Sequence, residues 1–169
     1  LVLDRETFLH VVAESDLMAG ELARLVHRRF LVNALLQALP GLRESGATRL
    51  LPEVDLARFP AGTTIVRQGE TAEAFYIVVR GRVNVVRETA DGGRVPLAQL
   101  SGGEFFGEIG LLHGVPRTAT VEAADGEVEL AVVKRAAFQR LVRTTPGALS
   151  DVVTTVCQRI AASLEEMAS

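Results

Sequence analysis

Apolar positions change period twice along this chain. Between Leu1 and Pro40, residues Leu22, Leu25, Val26, Leu35, Leu36 and Leu39 recur at spacings of three, four and seven, as one helical face requires. Leu1-Val2-Leu3 is too short to classify, and Pro40-Gly41 ends the segment. A second short helix is expected over about 42–51. From 53 to 134 apolar residues alternate instead, and glycines recur at turns. Strands are expected at 54–59, 63–67, 75–80, 82–87, 95–100, 118–123 and 128–133. Phe75, Ile77 and Val79 share one strand face, as do Val128, Leu130 and Val132. Many short strands between close turn signals predict an antiparallel sandwich, jelly roll or barrel. Helical period returns after Lys134: a short helix at 136–143 stops near Pro146, and a longer one runs from about 148 to 167. Val153, Val156, Ile160 and Leu164 form its stripe, with Ser150 or Thr145 as cap.

With Leu1 laid on Ala131, the segment 1–30 runs along 131–160 without a gap. Val2, Arg5, Phe8, Val12, Val26 and Arg29 then match Val132, Arg135, Phe138, Val142, Val156 and Arg159. Short strand, short helix and long helix follow in the same order in both. A true repeat makes 1–30 the tail of a preceding copy; two unrelated amphipathic helices are the plainer alternative. The exposed apolar positions expected on this arm, Leu22, Leu25, Leu35 and Leu36, call for docking to its own barrel, a second copy or a missing domain.

The 169 residues suffice for one domain with an appendage. With 48% hydrophobic and 23% charged residues the chain is too apolar for general disorder. A formal charge of −3 argues against a nucleic-acid binder, which carries a basic face. The single Cys157 excludes an internal disulfide framework and a multi-cysteine zinc site; it is expected to be a packing residue. No apolar run is long enough to span a bilayer and no signal-peptide pattern occurs, so a cytoplasmic protein is expected, on its own or as the cytosolic part of a larger one. The start at Leu1 predicts a fragment or processed chain. Seventeen of eighteen basic residues are arginine, which points to a GC-rich bacterial genome. There is no Gly-x-Ser-x-Gly elbow, no Gly-Lys-Ser/Thr phosphate loop and no His-Glu-x-x-His zinc motif. His10, His27 and His113 are isolated, so no enzyme, catalytic residue or metal site is expected.

One stretch interrupts the strand pattern: Phe105-Phe106-Gly107-Glu108-Ile109-Gly110-Leu111-Leu112-His113-Gly114-Val115-Pro116-Arg117-Thr118-Ala119-Thr120-Val121. A helical turn over 108–112 offers free backbone N–H groups at its start. Arg117 offers a planar fork of donors suited to phosphate oxygens. Gly107 and Gly110 admit a ligand close to the backbone. Together these predict an anion pocket. Glu108 beside a phosphate is repulsive unless it has other work, and an ionised carboxylate can accept from a sugar hydroxyl. The pocket therefore suits a nucleotide ribose and its phosphate. The bland alternatives are a surface pair of Arg117 with Glu108 or Glu122, and a Glu108 that only favours a helix start.

Phe106-Gly107-Glu108-Ile109-Gly110 followed by Pro116-Arg117-Thr118-Ala119-Thr120-Val121 resembles the phosphate-binding cassette of the cyclic nucleotide-binding domain family. The resemblance runs from Phe59-Pro60-Ala61-Gly62 through Gln68-Gly69-Glu70 and Gly81-Arg82-Val83 to the C-terminal helices. It implies a mainly β fold, with an N-terminal helical arm at 1–40 before a binding domain at 41–169. That domain would hold an eight-stranded antiparallel β-roll at about 53–134 and C-terminal lid helices at about 135–167. The resemblance implies that Glu108 holds the ribose 2′-hydroxyl and that Arg117 neutralises the cyclic phosphate, helped by amides near Ile109, Gly110 and Thr118, with Ala119 beside them. Gly110 stands where the family more often has Ala or Ser; the lost methyl is expected to cost nothing. The ligand expected is cAMP, with cGMP a competitor because the Thr118 hydroxyl can reach a syn guanine. The base is expected against Val83, Val85 and Leu97, capped by Arg159 or Ile160 from the last helix; the plain alternative for Arg159 is a solvated helix arginine. Ligand charge would draw Arg117 and the short helix inward, and a hinge at 138–146 would close the last helix.

The expected function is a regulatory cyclic nucleotide-binding module that signals through its C-terminal helix. The rival is a β-roll that has lost binding and serves as a protein-interaction or assembly module. Too few residues follow the last helix for a DNA-binding helix-turn-helix. Expected partners are the cyclic nucleotide, a second copy or an adjoining domain, with no nucleic acid and no membrane insertion.

Overall fold

The computed structural model describes residues 5–6 and 16–167; His10 and, in the first half of the repeat, residues 1–4 and 7–15 lie outside them. Helix α1 (Asp16–Ala38) precedes a 3-10 turn (Pro40–Leu42) and helix α2 (Arg43–Leu50). Eight strands follow: β1 (Val54–Phe59), β2 (Thr64–Val66), β3 (Ala74–Arg80), β4 (Arg82–Glu88), β5 (Arg94–Ser101), β6 (Phe105–Phe106), β7 (Thr120–Ala123) and β8 (Val128–Lys134). Helix α3 (Glu108–His113) lies between β6 and β7, and α4 (Arg135–Thr144) and α5 (Pro146–Met167) end the chain.

The strands form two four-stranded antiparallel sheets, in the orders β1-β8-β3-β6 and β2-β7-β4-β5. This is the β-roll with flanking helices that the resemblance implies. The alternating pattern foretold seven of its strands. The eighth, β6, is two residues long, too short to show a period. It pairs Phe105 with Ile77 and Phe106 with Tyr76. Successive strand residues face opposite ways. Phe105 joins the core under the helices, its ring 5.2 Å from that of Phe75, while Phe106 joins the core between the sheets and stacks on Tyr76 at 4.9 Å.

The helical core draws together α1, α2, α4 and α5. Leu35 and Leu39 of the arm are fully buried there, and Leu36 packs against its edge. Leu35 is thus a core residue and Leu36 a partly buried one, whereas Leu22 and Leu25 are exposed as expected. Further along α1, His27 faces Glu129 of β8 at 3.6 Å.

Helix α5 starts with Pro at its first position, two residues earlier than the periodicity suggested, because a missing N–H costs nothing there. Ser150 therefore lies inside the helix, and Thr145 directly precedes its first residue. The buried stripe is Ala148, Val152 and Val156 rather than one through Val153 and Ile160, which are exposed. Cys157 is exposed too, not a packing residue. Rotation of α5 follows from its first turn: Gly147 lies against Gly41 so closely that a Cβ on Gly41 would stand 2.4 Å from the Gly147 carbonyl carbon. Asp151 accepts the Gly41 N–H at 2.7 Å.

Candidate functional site

Strand β6 ends at Phe106, and Gly107 turns the chain into α3 with a φ of 87°. Only glycine takes that conformation without strain. The position also has no room for a side chain, since a Cβ there would lie 2.5 Å from Arg117 Nη1. The next residue, Glu108, opens α3 and is 1% exposed.

Arg117 is 6% exposed. Its backbone is pinned by the loop before β3: its N–H donates to Glu70 O at 2.8 Å, and its own carbonyl accepts from Gly69 N–H at 2.8 Å. Its guanidinium donates from Nη1 to Gly107 O at 2.9 Å and from Nη2 to Ala74 O at 2.7 Å. It lies 5.6 Å from the centre of the Tyr76 ring. Stacking of Phe106 on Tyr76 therefore braces the arginine through its aromatic neighbour. Burial pulls the guanidinium below the ordinary arginine range, countered by Tyr76, Glu108 and Glu70. Arginine stays cationic at neutral pH all the same.

Glu108 is held from the far end of the chain. Arg159 of α5 donates from Nη1 to Glu108 Oε1 at 2.7 Å and from Nη2 to Phe105 O at 2.6 Å. Its guanidinium lies 5.2 Å from the centre of the Phe105 ring. Arg159 is thus not a solvated helix arginine but is tied to the cassette through Glu108 and Phe105. The surface pairs of Arg117 with Glu108 or Glu122 do not form; Glu122 pairs with Arg94 at 2.8 Å.

The remaining sequence candidates fall in different places. Ile109 is partly buried, Thr118 is exposed, and Thr118 and Ala119 form a bend before β7 rather than its first residues. Gly110 is buried with Ala72 against it: a Cβ there would come within 2.6 Å of Ala72 Cβ. The glycines of the cassette make room for the protein's own atoms, and the methyl missing at Gly110 has a packing reason. Val83 is fully buried between the sheets. Val85 and Leu97 line an open cleft of about 590 Å³ with Asn84, Arg94 and Gln99; no cassette residue lines it. Ile160 is exposed and Val156, one turn earlier, is buried. Tyr76, Ala74 and the Gly69-Glu70 backbone escaped sequence reasoning as partners of Arg117. A carbonyl or a ring that braces a distant side chain leaves no mark on composition or period.

The sequence profile described as "Cyclic nucleotide-binding domain" matches residues 56–145, which include every strand but the start of β1 and the whole cassette. The chain belongs to the cyclic nucleotide-binding domain family. It is 31% identical over 151 residues to the cAMP-dependent protein kinase regulatory subunit of Mycosarcoma maydis, covering 87% of this chain and 27% of that protein. It is 33% identical over 140 residues to the regulatory subunit of the same name from Debaryomyces hansenii, covering 83% and 28% respectively. Among solved structures, the catabolite activator protein of Thermus thermophilus superposes with a TM-score of 0.69 at 27% identity, covering 78% of this chain and 61% of that one. The chain thus spans little more than a quarter of the two kinase subunits. The family is one of regulatory binding domains rather than of enzymes. Among the described residues no cluster of His, Cys, Asp and Glu could hold a metal ion, and no helix is long and apolar enough to cross a membrane.

Proposed function

We propose that this cyclic nucleotide-binding domain takes cAMP at the cassette, with cGMP as the competing ligand, and that it passes occupancy to α5. The observation that carries this reading is the paired burial of Arg117 and Glu108 at the two ends of one short segment, each held in place by the rest of the fold. Two carbonyls accept from Nη1 and Nη2 of Arg117, and a guanidinium has five N–H donors, so capacity remains for a cyclic phosphate. One oxygen of Glu108 accepts from Arg159, and the other is available for a ribose 2′-hydroxyl. The preference for cAMP is supported by the names of the two kinase subunits.

The same geometry supports a route for the signal. Arg159 binds the very carboxylate that a ribose would engage, so ligand and α5 act on one group. A nucleotide that leaves Oε1 to Arg159 stabilises the docked helix; one that draws the carboxylate away loosens it. Either way the shift is limited by the difference in affinity between the two states. A coupling of about 1–3 kcal/mol is ordinary for such devices.

Calorimetric titration of the purified chain with cAMP and cGMP, with melting temperature read in parallel, tests the reading. One nucleotide per chain and a raised melting temperature are expected, since a ligand bound only to the native state stabilises it. No heat and no shift with either nucleotide would leave the interaction-module reading in its place.

A further inference from the structure

We propose that Arg135, the first residue of α4, is a positioning residue for the phosphate half of the site: it holds the segment 69–74, and that segment holds Arg117. The part this gives Arg135 in nucleotide binding rests on the proposed function; its hold on the segment does not. The segment leads into β3 and has little grip of its own. Gly69, Glu70, Thr71 and Glu73 are exposed, and only Ala72 and Ala74 are buried. Two methyl groups remove little apolar surface from water, so hydrogen bonds must fix the segment.

Among the described residues, its long-range hydrogen bonds outside the β3–β8 ladder go to two arginines. Arg117 takes one set: its carbonyl accepts from Gly69 N–H, its N–H donates to Glu70 O, and its Nη2 donates to Ala74 O. Arg135 takes the other. Its N–H donates to Glu73 O at 2.8 Å, its Nη2 donates to Ala72 O, and its Nε lies 4.0 Å from Glu73 Oε2.

The two holds differ in what stands behind them. Arg135 follows directly on Lys134, which pairs with Ala74, and β8 and β3 are the inner strands of their sheet. The sheet therefore fixes where Arg135 starts. Arg117 lies in the irregular stretch between α3 and β7 and leans on the segment it binds. Without the Arg135 side chain, residues 69–73 would follow Arg117 more than they fix it. Gly110 of α3 shares the same support, since it packs on Ala72, whose carbonyl Arg135 binds. A guanidinium aimed before the ligand arrives binds it better, because the cost of ordering is already met by the fold. Arg135 thus serves the phosphate half of the pocket as Arg159 serves Glu108, each from a helix outside the cassette.

Calorimetric titration with cAMP in a set of double variants tests the assignment. Arg135→Ala should weaken binding about tenfold in the otherwise unchanged chain and in a Glu108→Gln background, but about twofold or less beside Arg117→Lys, because losses fail to add only where residues share partners. Equal losses beside Arg117→Lys and beside Glu108→Gln would mean a general loosening and overturn the assignment, as would unchanged affinity. Arg135→Lys keeps the charge and a donor but not the fork, and runs the same comparison if Arg135→Ala does not fold. A measurement without nucleotide stands apart from the proposed function. Hydrogen exchange at the Gly69 and Arg117 amides should quicken about tenfold in the Arg135 variant, since local opening sets those rates. Unchanged exchange overturns the hold on the segment. Quicker exchange in a chain that takes neither cAMP nor cGMP would sink the proposed function and leave the hold of Arg135 on the segment standing.

Discussion

Glu108 and Arg159 meet at 2.7 Å although they stand 51 positions apart in the chain. The carboxylate opens the helix of the cassette; the guanidinium sits four turns into the last helix. Arg159 is 28% exposed and Glu108 almost wholly buried, so the pair joins the inside of the site to its rim. Truncation of either partner has different consequences, because only one would be left without water.

Arg159→Ala leaves the Glu108 carboxylate buried beside an empty space. Loss of one partner of a fully buried pair costs about 3–5 kcal/mol. Water reaching the rim reduces this to about 1–3 kcal/mol. A urea titration checks the size, and hydrogen exchange should show α5 opening more often than the β-roll. Unchanged exchange in α5 would mean that the contact does not hold the helix.

Glu108→Gln keeps the shape and removes the charge. Binding of cAMP is expected to weaken by about 1–3 kcal/mol through the lost charge-assisted hydrogen bond to the ribose. A 2′-deoxy analogue should lose clearly less, as both calorimetric titrations can show. Equal losses would remove the hydroxyl contact from the site.

Arg117→Ala should weaken nucleotide binding by about 2–5 kcal/mol, the cost of truncating one partner of a desolvated charged pair. Folding should survive this change, but Arg117 is the donor to the Gly107 and Ala74 carbonyls. An unsatisfied buried acceptor costs about 1–3 kcal/mol, so the ligand-free melting temperature should fall as well. Arg117→Lys keeps the charge but not the fork, and is expected to recover only part of either loss.

Gly147→Ala places a methyl within 2.6 Å of the Gly41 carbonyl oxygen. Overpacking of this kind costs about 1–3 kcal/mol. Denaturant unfolding gives the value, and the change should also loosen the Asp151 contact to the Gly41 N–H. Wild-type stability would show that α5 can shift away from the arm at no cost.

Leu35→Ala should destabilise the domain by about 2–5 kcal/mol, whereas Leu25→Ala, earlier on the same helix, should stay within about 0.5 kcal/mol in this chain. Thermal unfolding of the two variants distinguishes an arm that is part of the core from one that merely hangs on it.

Much of this molecule was legible from residues in order. Alternation at Phe75, Ile77 and Val79 means strand wherever it occurs, because side chains on a strand face opposite ways in turn. The cassette was legible for a different reason: its glycines, acid and arginine stand close together in sequence between Gly107 and Arg117. Strand β6 was not legible, because two residues have no period and its existence depends on Tyr76 and Ile77 being there to pair with.

Tertiary structure alone decided who answers the charges. Arg117 is answered by carbonyls at 74 and 107, and Glu108 by an arginine on another helix. It also decided which face of α5 is buried, through the contact of Gly147 with the distant Gly41. Periodicity reports how one segment divides between water and core; it carries no record of which distant atoms the core will contain. Desolvation and hydrogen bonding depend on those atoms, and they exist as neighbours only once the chain has closed on itself.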